Sequence, residues 1–288
     1  MTEVPVMSDA LAIGFSPCPN DTFMFHALVA GEVPGLRVRP WLADIEALNL
    51  RALGDDPLPI TKLSVHALAH VRERYTVLAA GAALGRGCGP LVVARPGSIA
   101  EAPAAALQRL GGLRVAIPGR YTTAHLLLRA LAPAVTRVVP MRFEAIMPAV
   151  AAGEVDAGLI IHESRFTYAA HGLVQLADLG ALWEAETGLP LPLGVIAVQR
   201  SLGAARARAL EDGIVQSILA ARTRPEAAWP YIRAHAQEMD TEVCRRHIAL
   251  YVNEFSLALG DEGRAAIDAL LARGEAAGLL PAGPAVWR

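Results

Sequence analysis

The sequence predicts an α/β protein of two lobes with a helical C-terminal segment. Three observations predict it. First, short apolar runs bounded by Gly, Pro or polar residues alternate with amphipathic helical patterns from Leu11 to about residue 198. Second, Gly89–Pro96 and Pro190–Val198 are apolar strands flanked or interrupted by prolines, as expected where a chain crosses between lobes. Third, the alternation stops at Ser201, and sequence rich in Ala, Leu and Arg runs helically to Leu280.

The elements follow in order. Leu11–Phe15 reads as a strand that ends in the stiff turn Ser16-Pro-Cys-Pro-Asn-Asp21, and Thr22–Ala30 as a helix. Pro17 and Pro19 fix φ and hold that turn in one shape. Helical patterns cover Ile45–Leu53, Val65–Glu73, Thr122–Leu131, Ala145–Ala152 and Glu163–Ala170. Strand patterns cover Leu58–Leu63, Tyr75–Ala80, Leu91–Ala94, Leu113–Ile117, Arg137–Met141 and Ala157–Ile161, with further candidates at Val174–Leu176 and Val195–Val198. The expected division is a larger, discontinuous lobe of residues 1–95 and 199–288, with 96–198 as the smaller lobe. A ligand then belongs in the cleft between them.

Composition narrows the class of partner. The chain has 288 residues, 53% of them apolar and 19% charged, enough to build a large ordered core. A net charge of −2 gives no electrostatic basis for binding nucleic acid. The three cysteines, Cys18, Cys88 and Cys244, lie far apart and form neither a disulfide framework nor a zinc-ligand spacing. Residues 1–9 lack the basic and apolar regions of a secretory signal. No run reaches the ~18 apolar residues of a membrane span. The expectation is a cytoplasmic protein with a small-molecule partner and no metal or other cofactor.

The candidate chemistry collects where strands run into helices. Lysine and arginine together number 26, yet the only lysine is Lys62. A compact ammonium on a flexible stem does what a guanidinium fork cannot, so this position is a candidate for function. Ser64 lies two residues further along the same strand and so shares its face. It is also a candidate N-cap for the helix opening at Val65. Thr122 and Thr123 follow Pro118-Gly119 and open another helix. One can cap that helix while the other gives its hydroxyl to a ligand, and a carboxylate there gains from the helix dipole.

Of the eight histidines, His162 has the most informative position, at the carboxyl end of the apolar run Gly158–Ile161. There it is either a general base facing the cleft or a strand-end residue bonded to a carbonyl. His66 and His70 have the i, i+4 spacing of helical zinc ligands but lack a zincin glutamate, so one packed and one exposed histidine is expected. Cys18 precedes a helix start, a setting that favours a thiolate. Its flanking prolines point to loop shape rather than nucleophilic attack. Phosphate-loop and Gly-x-Ser-x-Gly motifs are missing from the sequence.

Together, Ser16–Phe23, Thr61–Ser64, Pro118–Thr123, Gly158–Tyr168, Thr187–Gly194 and Tyr251–Ser256 resemble the 1,4-dihydroxy-6-naphthoate synthase family of the futalosine route to menaquinone. The resemblance runs from about Leu11 to about Leu280. It implies a two-lobed fold like the type II periplasmic binding proteins, and a lyase acting on cyclic dehypoxanthinyl futalosine. The products would be 1,4-dihydroxy-6-naphthoate and dihydroxyacetone. It also implies His162 as the base, with Lys62, Leu63, Ser64, Thr122 and Thr123 at the substrate. Two other readings share this fold: a cytoplasmic solute-binding module, and a sibling chorismate dehydratase. Whether Cys18, Asn20 or Asp21 touches substrate stays open at this level.

Overall fold

The computed structural model describes residues 10–99, 107–237 and 240–287. The N-terminal stretch read as lacking a signal lies outside them. Two sheets organise the chain. The first contains β1 (Leu11–Phe15), β2 (Val38–Leu42), β3 (Ile60–Ser64), β4 (Tyr75–Val77), β5 (Ala83–Gly85) and β11 (Leu191–Gln199), in the order β2-β1-β3-β11-β4, with β5 also paired to β11. The second contains β6 (Leu91–Ala94), β7 (Arg114–Ile117), β8 (Arg137–Pro140), β9 (Ala157–Ile160) and β10 (Val174–Asp178), in the order β10-β6-β9-β7-β8.

Each sheet has a parallel part built by strand–helix–strand units. β1 pairs in parallel with β2 and β3, and β7 with β8 and β9. Each is completed by antiparallel strands, β11 against β3 in the first and β6 against β9 in the second. The linking helices are α1 (Pro19–Val29), α2 (Ile45–Leu53), α3 (Val65–Val71), α4 (Thr123–Leu131), α5 (Phe143–Ala152), α6 (Ser164–Thr167) and α7 (Leu179–Thr187). The C-terminal third is helical as expected: α8 (Gly203–Thr223), α9 (Pro225–His235), α10 (Thr241–Tyr251), α11 (Glu254–Leu257) and α12 (Gly260–Ala276).

Strand pairing assigns the two proline-flanked strands to different sheets. Leu91–Ala94 pairs within the second sheet and Leu191–Gln199 within the first, beside the breaks expected after residues 95 and 198. The apolar pattern located both strands correctly, but which sheet each one completes depends on pairing partners far away in sequence. At the crossing, Gly89 and Gly180 meet backbone to backbone, and a Cβ on Gly89 would lie 2.3 Å from the Gly180 Cα. Arg165 fastens the same place, donating to the Gly89 carbonyl and to Asp178 Oδ2, each at 2.9 Å.

Other differences have local causes. β2 carries Arg39 and Pro40, which hide it from a strand pattern. It is tolerated because β2 is an edge strand, where a missing ladder donor costs little. The helix expected at Glu163–Ala170 is one α-turn followed by the 3₁₀ segment Tyr168–His171. α1 begins at Pro19, three residues before the expected Thr22, because proline suits the first helical position.

Candidate active site

Four strand ends converge on one cavity. It is lined by Asn20 after β1, Lys62 and Ser64 on β3, Thr122, Thr123 and Ala124 after β7, and His162 after β9. Gly194 of β11 and His247 and Tyr251 of α10 close it, and the cavity volume is about 60 Å³. Carboxyl ends of strands are where open α/β sheets place their ligands.

The turn after β1 is organised around Asp21. Its Oδ2 accepts from the Ser16 amide at 2.9 Å and the Ser16 hydroxyl at 2.6 Å, while Oδ1 accepts from Asn20 Nδ2 at 2.9 Å. Lys62 reaches across from β3 to pair with the same Oδ1. The pair is deeply buried, with Lys62 4% and Asp21 0% exposed. The single lysine is therefore an internal counter-ion as well as part of the cavity wall. One of its three donors is used on Asp21, leaving others to serve a ligand.

His162 is the one non-glycine residue among those described with a positive φ, at 58°. That left-handed backbone is uncommon for a side chain of this size and turns the residue out of the β9 line. Its ring packs edge-on against Phe143 at 5.0 Å between centroids, and stacks with His247 at 6.2 Å. Burial, reinforced by Lys62 and opposed by Asp21, pushes the imidazole down to about 4. It is neutral at physiological pH, the form in which a histidine accepts a proton.

The threonines have distinct roles. Thr122 caps α4, its hydroxyl accepting from the His125 amide at 3.2 Å and donating to the Gly119 carbonyl at 2.9 Å. The Thr123 hydroxyl accepts from the Val65 amide at 3.0 Å and donates to the Leu193 carbonyl at 2.6 Å. It thus satisfies the first amide of α3, at whose N-cap Ser64 makes no side-chain bond. Ser64 Oγ instead accepts from Asn49 at 3.1 Å, keeping its own proton to donate into the cavity. Both threonines line the cavity, and both hydroxyl protons are held by backbone carbonyls. What this turn can offer an anion is the N–H groups of the first turn of α4.

Leu63, also expected at the substrate, lies on the other face of β3. Its side chain is fully buried in the apolar core and does not line the cavity, because it points to the opposite face from Lys62 and Ser64. Burial, with Glu163 next in effect, raises the Cys18 thiol well above its ordinary value, so the thiolate suggested by its place before a helix is not favoured. His66 is buried and His70 exposed, as expected; His66 Nδ1 lies 3.1 Å from the Thr122 carbonyl.

His247 and Tyr251 were not singled out from the sequence as site residues, yet both line the cavity. They sit one turn apart on α10, a helix whose pattern reads as ordinary surface packing. His247 Nε2 bonds Asn20 Oδ1 at 2.9 Å, and Nδ1 lies 3.6 Å from Glu163 Oε2. Burial, then His162 and Lys62, hold its imidazole well below the usual value. Among the described residues, one group could hold a metal ion: Cys18, His162 and Glu163, with donor atoms within 4.8 Å of one another.

Comparison with known proteins gives this site a family. The chain is 53% identical over 277 residues to the 1,4-dihydroxy-6-naphthoate synthase of Thermus thermophilus, covering 96% of this chain and 98% of that one. It is 49% identical over 281 residues to the enzyme of the same name from Streptomyces coelicolor, covering 96% of each. A crystal structure of an Archaeoglobus fulgidus protein superposes with a TM-score of 0.86 at 36% identity, over 95% of this chain and 99% of that one. The periplasmic aliphatic sulphonate binding protein SsuA of Escherichia coli shares the fold at 15% identity, with a TM-score of 0.65 over 96% and 90% of the two chains. The model of a family described as menaquinone biosynthesis matches residues 11–276, and this chain belongs to that family.

Proposed function

We propose that this chain is a 1,4-dihydroxy-6-naphthoate synthase that converts cyclic dehypoxanthinyl futalosine to 1,4-dihydroxy-6-naphthoate and dihydroxyacetone. The observation that carries the reading is His162: a neutral imidazole on a strained backbone, set into the cavity where both sheets present their strand ends. The relatives at 53% and 49% identity, named for the naphthoate they make, support the product.

The groups fit a base-initiated cleavage. The substrate carboxylate rests against the N–H groups at the start of α4 and the Ser64 hydroxyl, close to the Lys62 ammonium. His162 takes a hydroxyl proton. The O–H electron pair becomes a carbonyl, the adjacent carbon–carbon bond breaks, and its electrons complete the aromatic naphthoate. The proton on His162 then returns to product. Aromatisation makes the step downhill, and the chemistry needs no metal or redox cofactor. Closing one lobe on the other excludes water from the base. The enzyme works in the cytoplasm under this reading.

The test is direct. The purified chain is incubated with cyclic dehypoxanthinyl futalosine, and the naphthoate is followed by absorbance. Tight binding without conversion would make it a solute-binding module, and turnover of chorismate instead would make it the sibling dehydratase.

A further inference from the structure

The residue just before the α4 cap is held from the other sheet. Tyr121 lies in the turn between β7 and α4, whereas Glu46 and Asn49 lie on α2, which links β2 to β3 of the first sheet. Both Glu46 carboxylate oxygens accept from the Tyr121 amide, at 3.1 and 3.2 Å. Asn49 is fully buried and donates through Nδ2 to the Tyr121 carbonyl at 3.3 Å. Two side chains three residues apart share one helix face, and here they grip the N–H and the C=O of a single residue across the cleft. The approach is close: the Glu46 carboxyl fills the space where a Cβ on Gly119 would stand. Asn49 also holds the cavity wall on its own side. Its Nδ2 donates to Ser64 Oγ at 3.1 Å and to Glu46 Oε2 at 3.3 Å, and its Oδ1 accepts from the Ser64 amide at 3.0 Å.

We propose that Glu46 is a positioning residue for the reaction: it latches the turn before α4 to the first sheet and so aims the first N–H groups of α4 at the substrate carboxylate. The inference rests on the reading that this helix start receives that carboxylate. The amides of the turn divide accordingly. Glu46 takes that of Tyr121, and the Thr122 hydroxyl takes that of His125. Those of Thr123 and Ala124 open α4 without a partner in the helix, and both residues line the cavity. Thr123 and His66 also bond across the cleft, to neutral backbone groups. Glu46 adds a carboxylate, and a hydrogen bond to an ionised acceptor is roughly twice as strong as a neutral one. With the latch in place the turn is set before substrate arrives. Without it, some molecules hold the turn out of register, and apparent affinity falls by that fraction. Bound substrate then spans the cleft itself, so the chemical step at His162 changes little.

The experiment compares the full-length chain with Glu46→Ala and Glu46→Gln. It uses steady-state kinetics on cyclic dehypoxanthinyl futalosine, and amide exchange followed by NMR without substrate. Glu46→Ala should raise KM roughly 10-fold or more with kcat nearly unchanged, the sign of lost binding rather than lost chemistry. Glu46→Gln should raise it less, about 3-fold or more, because its amide oxygen still accepts from Tyr121. The Tyr121 amide should exchange at least about 10-fold faster in Glu46→Ala, while the His125 amide, held by Thr122, keeps its parent rate. Thermal melts identify which variants are folded, and either one alone suffices. KM unchanged in a folded variant, or a loss confined to kcat, overturns the positioning role. An unaltered Tyr121 exchange rate overturns the latch itself, and that readout needs no turnover. A parent chain that leaves the futalosine derivative unconverted overturns the functional reading, while faster Tyr121 exchange in the variants still supports the latch.

Discussion

Lys62 and Asp21 form a buried ion pair between the end of β3 and the first turn of α1. Both charges have left water, so each depends on the other. Breaking such a pair from one side typically costs about 3–5 kcal/mol, whereas replacing both partners is far milder. Lys62→Met should destabilise the fold by about that amount, and Lys62→Met with Asp21→Asn should recover much of it. Urea unfolding of the three proteins measures this, and a double variant no better than the single one rules out the ion pair as the cause.

His162→Ala tests the base. General-base catalysis is typically worth about 10²–10⁴-fold in rate. Turnover should drop by that range, with the fold and ligand affinity retained. Steady-state kinetics beside a ligand-binding titration separate the two, and turnover within a few-fold of the parent protein excludes His162 as the base.

The pH dependence follows from imidazoles kept neutral by burial. His66 and His162 are both pushed down to about 4, from an ordinary value of 6.5. Between these values the unfolded chain binds more protons than the folded one, so these groups make stability fall as pH is lowered from 6.5 toward 4. Melting temperature should decline across that window. Turnover should persist below pH 6, where an unperturbed histidine would already be protonated. An acid limb centred near 6.5 would contradict the environment described for His162.

Thr122 and Thr123 should respond differently to mutation. Thr122→Ala removes an N-cap, worth about 0.5–2 kcal/mol. Thr123→Val strips partners from the Val65 amide and the Leu193 carbonyl, and an unsatisfied buried group costs about 1–3 kcal/mol. The second change should be the more destabilising, and should also raise KM because it loosens α3 against α4. Equal melting temperatures for the two variants would count against this division of roles.

Gly119 lies against Glu46, and a Cβ there would fall 2.3 Å from the Glu46 Cδ. Both Glu46 carboxylate oxygens accept from the Tyr121 amide, at 3.1 and 3.2 Å. Gly119→Ala must push Glu46 off that amide. A loss of about 1–3 kcal/mol is expected, as for other overpacked contacts. Denaturant unfolding at neutral pH provides the measurement, and an unchanged midpoint would mean that the turn relaxes freely.

Much of this could be read from local sequence. Lys62 and Ser64 were placed on one face by the two-residue period of a strand, and both line the cavity. His162 was visible because a polar residue ends an apolar run. His247 and Asn20 were not visible as partners: 227 residues separate them, and no local pattern records that a helix near the C-terminus closes over the first turn. β2 escaped for the opposite reason, since Pro40 signals against a strand unless its edge position is known.

By itself the sequence determined the alternation of strands and helices, the rigid turn after β1, the helical C-terminal third and the residue types able to do proton chemistry. These depend on hydrophobic period, fixed φ at proline and side-chain chemistry, all local properties. Only the tertiary structure decided which sheet β6 and β11 complete, that Lys62 spends one donor on Asp21, that both threonine hydroxyls serve the backbone, and that Cys18 and Glu163 stand beside His162. Those outcomes come from strand pairing and burial between distant segments. Burial also sets which proton each group holds, through the cost of taking its charge out of water.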